Sequence, residues 1–221
     1  MDLHILYLDE SIVVIHKPID TLCEGDSPIS LPILLARTLR EKGEKNTDIF
    51  VVHRLDRTTE GVMVFARTSA AAATLSRSIA ERSAQKEYLA VVCGSPEPAS
   101  ATLTDLLFYD RTRGKSFVVT RERKGVKEAS LDYEVLERRD ANTLLRVRLH
   151  TGRTHQIRVQ FASRGLPLCG DRRYGAPPSD SPILLCAYKL SFAHPRTGQP
   201  MVFASRPTAA EWATFDMLDQ I

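Results

Sequence analysis

Apolar residues along the chain recur with a period of two or of about 3.6, and the switches between the two periods predict the elements. "SIVVIHK", Ser11 to Lys17, is a β-branched run stopped by Pro18, which offers no ladder donor; it predicts a strand and then a turn. "LPILLARTLREK", Leu31 to Lys42, spaces its leucines helically ahead of Gly43 and predicts a first helix. Two extended runs follow, Phe50 to His53 and Gly61 to Ala66, with the polar residues between them in a loop. Ser69 is positioned to cap a second helix over Ala70 to Arg82, after which "KEYLAVVCG" returns as a strand ending at Gly94.

From Ala99 to Arg148, β-rich pieces alternate with charged turns. Leu145, Val147 and Leu149 alternate with Arg146, Arg148 and His150, the pattern of a strand with one wet, basic face. "TGRTHQIRVQFASRG" predicts a helix capped by Thr151 or Thr154, with Ile157 and Phe161 on one face and Gly165 at its end. Ile183 to Ala193 predicts another strand, "HPRTGQP" a hairpin turn, "MVFAS" the returning strand, and Ala209 to Leu218 a closing helix. No repeat, low-complexity tract or linker interrupts this order, so residues 1–221 are expected to form a single domain. Strands outnumber helices and adjoin through short turns, which favours an α+β class with a mixed or antiparallel sheet over a doubly wound one.

Composition narrows the function classes. The 221 residues suffice to bury a proper core, and 43% hydrophobic with 26% charged residues excludes a disordered or collagen-like chain. No run approaches the roughly 18 apolar residues of a membrane helix, and Met1-Asp2-Leu3-His4 lacks the basic start of a secretory signal, so a cytoplasmic protein with no membrane partner is expected. Cys23, Cys93, Cys169 and Cys186 lie far apart without a CxxC pair, and His53, His150 and His194 share no metal-ligand spacing with them; buried thiols and no metal are expected. Phosphate-binding glycine loops, dinucleotide fingerprints and nucleophile elbows are missing, so no cofactor is expected either.

Charge distribution says more than net charge. The total is only +3, but Arg111 to Glu128 holds seven basic residues against two acidic ones, and Arg146 to Arg173 holds seven against one. Such clustering is the footprint expected for a polyanionic partner, and equally of a solvated basic face. Between the two extended runs stands "HRLDRTTEG", where Asp56 has Arg54 two residues before it and Arg57 just after. Neighbouring cations keep such a carboxylate ionised, fit to act as nucleophile or general base; the same residues also make a structural ion pair that fixes a turn. Glu60 supplies a second carboxylate, but both acids share one short loop with no aromatic sugar platform, a weak pattern for a glycosidase. His155 and Gln156 in "THQIR" suit either phosphate or base-edge contacts or a satisfied helix start, and Tyr88 suits either the core or a stacking platform.

Taken in order, "HKP", "HRLDRTTEG", "KEYLAVV", "GRTHQIRVQFASRGLPLCGDRRYG" and "ILLCAYKLSFAHPRTG" resemble the RluA-type pseudouridine synthases, from about Ile12 to Phe203. The resemblance implies a bifurcated, mainly antiparallel mixed sheet with flanking helices and a central basic cleft. It also implies isomerisation of selected uridines in ribosomal or transfer RNA stem-loops, without cofactor or metal. Asp56 matches the family's catalytic aspartate, acting at the sugar either by attack on C1′ or by removal of the 2′ proton. Tyr88 matches the aromatic residue that stacks on the target base, and Arg158 the basic partner of the catalytic carboxylate. Arg54 matches the arginine that fills the space of the flipped uridine, and Leu185 the apolar residue packed against that base. Arg153, His155 and Gln156 fall in the same matched stretch and are expected at the RNA. Three positions depart from the pattern: Asp20 for a glycine, Glu60 for a serine and Cys186 for a histidine. The added carboxylate at Glu60 is expected to lie beside RNA and repel phosphate. Because the match begins near Ile12, a stand-alone catalytic domain without an S4-type RNA-binding domain is expected, working as a monomer. A protein that keeps the cleft but only binds RNA, or assists ribosome assembly, is the alternative from another class.

Overall fold

The computed structural model describes residues 3–220, apart from the side chains of residues 219 and 220. Strands β1 (His4–Leu8) and β2 (Ile12–Lys17) lead to helix α1 (Leu31–Glu41), short β3 (Phe50–Val51), β4 (Glu60–Ala66) and helix α2 (Ser69–Ala80). Five strands follow: β5 (Gln85–Cys93), β6 (Ser100–Asp110), β7 (Lys115–Val119), β8 (Val126–Arg139) and β9 (Asn142–Leu149). Helix α3 (Gln156–Ala162), β10 (Leu185–Ala193) and β11 (Pro200–Ala204) complete the set, and two short 3-10 stretches follow, Ala210–Thr214 and Asp216–Gln220. The chain divides into two compact units, residues 3–86 with 186–207, and residues 87–185 with 208–220. Among the described residues no helix is long and apolar enough to cross a membrane.

In the first unit β2 and β4 are buried at every position and pair antiparallel, from Ile12 opposite Ala66 to Lys17 opposite Gly61. Continuous burial means that both faces are covered, and alternation divides the side chains between them. Val13, Ile15, Met63 and Phe65 pack with Leu31 and Leu35 of α1, while Ile12, Val14, Val62 and Val64 pack with Ala71 and Leu75 of α2. One parallel pairing, Cys186 opposite Glu60 and Ala187 opposite Gly61, joins β10 to β4, and β11 runs antiparallel to β10. Gly61 is required there: with φ at +123°, an added Cβ would stand 2.3 Å from the Ala187 carbonyl oxygen.

The second unit is an antiparallel sheet in the order β5-β9-β8-β6-β7, built on the β6–β7 and β8–β9 hairpins. Val159 of α3 packs with Leu107, Ala129 and Tyr174. Among the described strands pairing is thus mainly antiparallel, with β4 and β10 parallel, and helices flank the strands, the mixed α+β organisation expected.

Local expectations differ in four places. Thr68, one residue before Ser69, caps α2, its hydroxyl accepting from the Ala71 N–H at 3.1 Å. Neither threonine caps α3; the residue before it, His155, sits in the left-handed region at φ +54°, a conformation in which histidine is enriched. The closing segment is 3-10 rather than α, interrupted by extended Phe215; it buries Trp212, Phe215 and Leu218, a spacing of three that suits three residues per turn. Strand β1, whose residues pair antiparallel with β2, carries no clear alternation in sequence and was not predicted.

Candidate active site

Asp56 lies on the loop between β3 and β4, and the first unit fastens that loop on several sides. Asp56 accepts from the Thr59 N–H at 3.0 Å through its own backbone carbonyl, closing a tight turn. Lys17, fully buried at the end of β2, donates its ammonium to the carbonyls of Pro18, Arg57 and Thr59 at 3.0, 3.1 and 2.8 Å. The Asp20 N–H donates to the same Arg57 carbonyl at 2.8 Å. On the other side, Leu55 exchanges contacts with Cys23: its N–H donates to the thiol sulfur at 3.3 Å and its carbonyl accepts from the thiol at 3.2 Å. His53 is buried, and its Nε2 accepts from the Val64 N–H at 3.2 Å, so the ring is held neutral; burial pushes its pKa well below 6.5. Burial likewise pulls Lys17 down to about 8, against the opposing fields of Cys23, Asp56, Asp20 and Glu60.

The flanking arginines each have an acidic neighbour. Arg54 is exposed and pairs with Glu24, and Arg57 pairs with Asp20 at 3.3 Å. Two of the three departures from the family pattern have a physical account. Asp20 takes a left-handed conformation at φ +62°, the region a glycine occupies at least cost and aspartate tolerates better than most residues. Glu60 does not face solvent: it is 2% exposed at the start of β4, and its Oε2 lies 3.3 Å from His16 Nε2. His16 in turn has Nδ1 2.8 Å from the Ser205 hydroxyl. Glu60 is thus not the exposed loop acid that the expected repulsion of phosphate assumed, but a buried carboxylate in contact with a histidine. Cys186 lies opposite Glu60 in the parallel pair, and burial followed by the Glu60 charge pushes its thiol well above the usual range.

The second unit holds the other matched residues. Tyr88 stands in β5 opposite Val147 and is 5% exposed, and Leu185 begins β10 at 4%. Arg158, on α3, is buried and gripped by Asp171: Nε donates to Oδ2 at 2.6 Å and Nη2 to Oδ1 at 2.9 Å. Its guanidinium lies 5.1 Å from the centre of the Tyr174 ring. The Tyr174 hydroxyl accepts from the Ser116 N–H at 2.8 Å and lies 3.0 Å from His155 Nδ1, which ties His155 into the same set. The Gln156 amide braces the turn before α3: Oε1 accepts from the Arg153 N–H and the Thr151 hydroxyl, and Nε2 donates to the Ser130 carbonyl. Arg153 donates through Nε to the Glu128 carbonyl at 3.0 Å.

Asp171 and Tyr174 received no role from sequence, although the chain flags one of them: Asp171 is the only acid among the seven basic residues of Arg146 to Arg173. Its position is set by the turn before it. Gly170 adopts φ +81°, and a Cβ there would stand 2.1 Å from the Pro182 carbonyl oxygen. The exposed basic residues of the Arg111 to Glu128 stretch rise from the β6–β7 hairpin and the turn into β8, with Arg123 4.5 Å above the Phe108 ring.

Comparison with known proteins gives these residues a context. Solved structures share the fold: a human RNA pseudouridylate synthase domain containing 4 superposes with a TM-score of 0.77, covering 93% of this chain and 88% of that one at 24% identity. Among curated proteins, the chain is 37% identical over 205 residues to the dual-specificity RNA pseudouridine synthase RluA of Escherichia coli (strain K12), with 90% of each covered. It is 38% identical over 219 residues to an RNA pseudouridine synthase of Aquifex aeolicus (strain VF5), covering 91% of this chain and 68% of that protein. Residues 11–163, which hold the Asp56 loop, Tyr88 and Arg158, match the RNA pseudouridylate synthase family model, and the chain belongs to that family.

Proposed function

We propose that Asp56 is the carboxylate with which this RNA pseudouridine synthase acts on the sugar of a flipped uridine. The N1–C1′ bond breaks, the base turns, C5 bonds to C1′, and the C5 proton is lost as N1 gains one, so the reaction needs no external reductant or oxidant. The observation that carries this reading is the fastening of the Asp56 loop, since Lys17, Asp20 and Cys23 all converge on its backbone and the neutral ring of His53, at its start, is anchored to the Val64 N–H of β4. A reacting carboxylate works best when its own loop does not have to be ordered in the transition state.

The remaining roles follow the chemistry of each side chain. A base leaves its stack at a cost of a few kcal/mol, and an aromatic platform returns about 1–3 kcal/mol, a role assigned to Tyr88 with Leu185 packed beside it. Arg158, held by Asp171 in a fixed orientation, serves the Asp56 carboxylate, and Arg54 takes the space the uridine leaves. Arg153, His155 and the exposed basic residues from Arg111 to Lys127 meet the RNA backbone, while Gln156 shapes the turn that presents Arg153. Structured ribosomal or transfer RNA is the substrate class, because sequence-specific RNA recognition favours loops whose bases can be splayed out. The chain acts as a monomer in the cytoplasm with no cofactor.

Release of tritium from C5-labelled uridine in ribosomal and transfer RNA tests the reading. The wild-type chain is expected to release it, and Asp56→Ala to release none while binding the same RNA with unchanged affinity. Equal release by both variants would overturn the role of Asp56. RNA binding with no release by the wild-type chain would favour the non-catalytic alternative.

A further inference from the structure

Two of the four cysteines lie together in the second unit, away from any role described so far. Cys93 ends β5, and Cys169 lies in the turn that leads to Asp171. An isolated antiparallel bridge between Val92 and Leu168 fixes their backbones. The Cys93 N–H donates to the Pro167 carbonyl at 2.9 Å, and the Cys169 N–H to the Val91 carbonyl at 2.8 Å. In that register the two cysteines form a diagonal pair on one face, because side chains alternate along extended backbone. Both are free thiols, with their sulfur atoms 2.9 Å apart.

A disulfide requires about 2.05 Å between sulfurs, so closure needs an approach of under about 1 Å, within reach of small side-chain rotations. Access and orientation also suit the pair. Cys93 is partly exposed, whereas Cys169 is 9% exposed, and the Cys169 thiol donates to Asn142 Oδ1 at 3.3 Å. Burial, then the contact with Cys93, pushes the Cys169 thiol up, so it waits in the neutral form. Cys23, engaged with Leu55, and fully buried Cys186 belong to the first unit.

We propose that Cys93 and Cys169 form a reversible oxidation site, in which hydrogen peroxide converts the dithiol to an intramolecular disulfide. The Cys93 thiolate attacks one peroxide oxygen, the O–O bond breaks, and hydroxide leaves, giving a sulfenic acid at Cys93. The Cys169 sulfur then attacks the Cys93 sulfur; the S–O bond breaks, and the departing hydroxide takes the Cys169 proton as water. Two thiols lose two electrons in all, and one peroxide gains them as two waters. The new bond ties the turn that carries Asp171 to the end of β5.

Peptide mapping after peroxide treatment of the native protein, followed by denaturation and alkylation, tests this. The expected result is a Cys93–Cys169 linked peptide, loss of two of the four alkylatable thiols, and full return of both after dithiothreitol. Cys169→Ser should stop at a Cys93 sulfenic acid that dimedone traps, with no linked peptide. Circular dichroism of this near-isosteric variant confirms folding. Alkylation of Cys93 and Cys169 to the same extent as Cys23 and Cys186 across the peroxide range would overturn the proposal, as would linkage through any other pair.

Discussion

Replacing Asp171 by asparagine alters one atom in a fully buried site and tests the grip on Arg158 directly. The carboxylate accepts two charge-assisted hydrogen bonds, at 2.6 and 2.9 Å, from a guanidinium that is itself 5% exposed. Asparagine retains one acceptor, but its amide nitrogen turns a donor toward a donor, so one bond is lost and a buried N–H is left unsatisfied. A hydrogen bond to a charged group contributes about 1.5–3 kcal/mol, and breaking a buried ion pair from one side costs about 3–5 kcal/mol. The expected loss for Asp171→Asn is about 3 kcal/mol. With a urea slope of about 2–3 kcal/mol/M, the unfolding midpoint falls by about 1 M. The single tryptophan, Trp212, is buried in the same unit and reports the transition by fluorescence. In an Arg158→Met background the sign should reverse, because Asp171 would then be a buried carboxylate stripped of its main partner, and asparagine would relieve it. An unchanged midpoint, or the same loss in both backgrounds, would refute the reasoning.

Three further outcomes follow from groups of the first unit. Burial pulls Lys86 down to about 8 from its ordinary 10.5, so the unfolded chain binds the extra proton between those values and stability rises with pH across that window. Lys86→Met should flatten that rise, measured as urea midpoint against pH; an unchanged slope would count against a desolvated ammonium on the half-buried Lys86. His53 is depressed far below 6.5, so the unfolded chain takes up the proton first and stability is lost as pH falls below 6.5. His53→Gln, which keeps an acceptor for the Val64 N–H, should shallow this acid loss, and the same pH series checks it. Gly61→Ala forces a Cβ against the Ala187 backbone at a φ that L residues rarely adopt, and should cost more than about 3 kcal/mol or abolish soluble expression; a change below about 1 kcal/mol would contradict the close approach of β4 and β10.

Much of this protein is determined by local sequence. The β-branched run before Pro18, the leucine spacing before Gly43 and the alternation from Leu145 to Leu149 each specify one element by a short-range rule, and β2, α1 and β9 form where those rules place them. The ordered motifs likewise carried the family and the identity of Asp56 as a candidate. Other features needed partners distant in sequence. That Glu60 is buried beside His16 depends on two strands meeting across 44 residues, and no local pattern distinguishes it from an exposed loop acid. Asp171 reads as one acid among cations until the chain brings it against Arg158, and Cys93 meets Cys169 across 76 residues. The physical division is range: backbone propensity and periodicity are written in neighbouring residues, whereas burial, charge partnership and sulfur proximity arise only when the strands are packed.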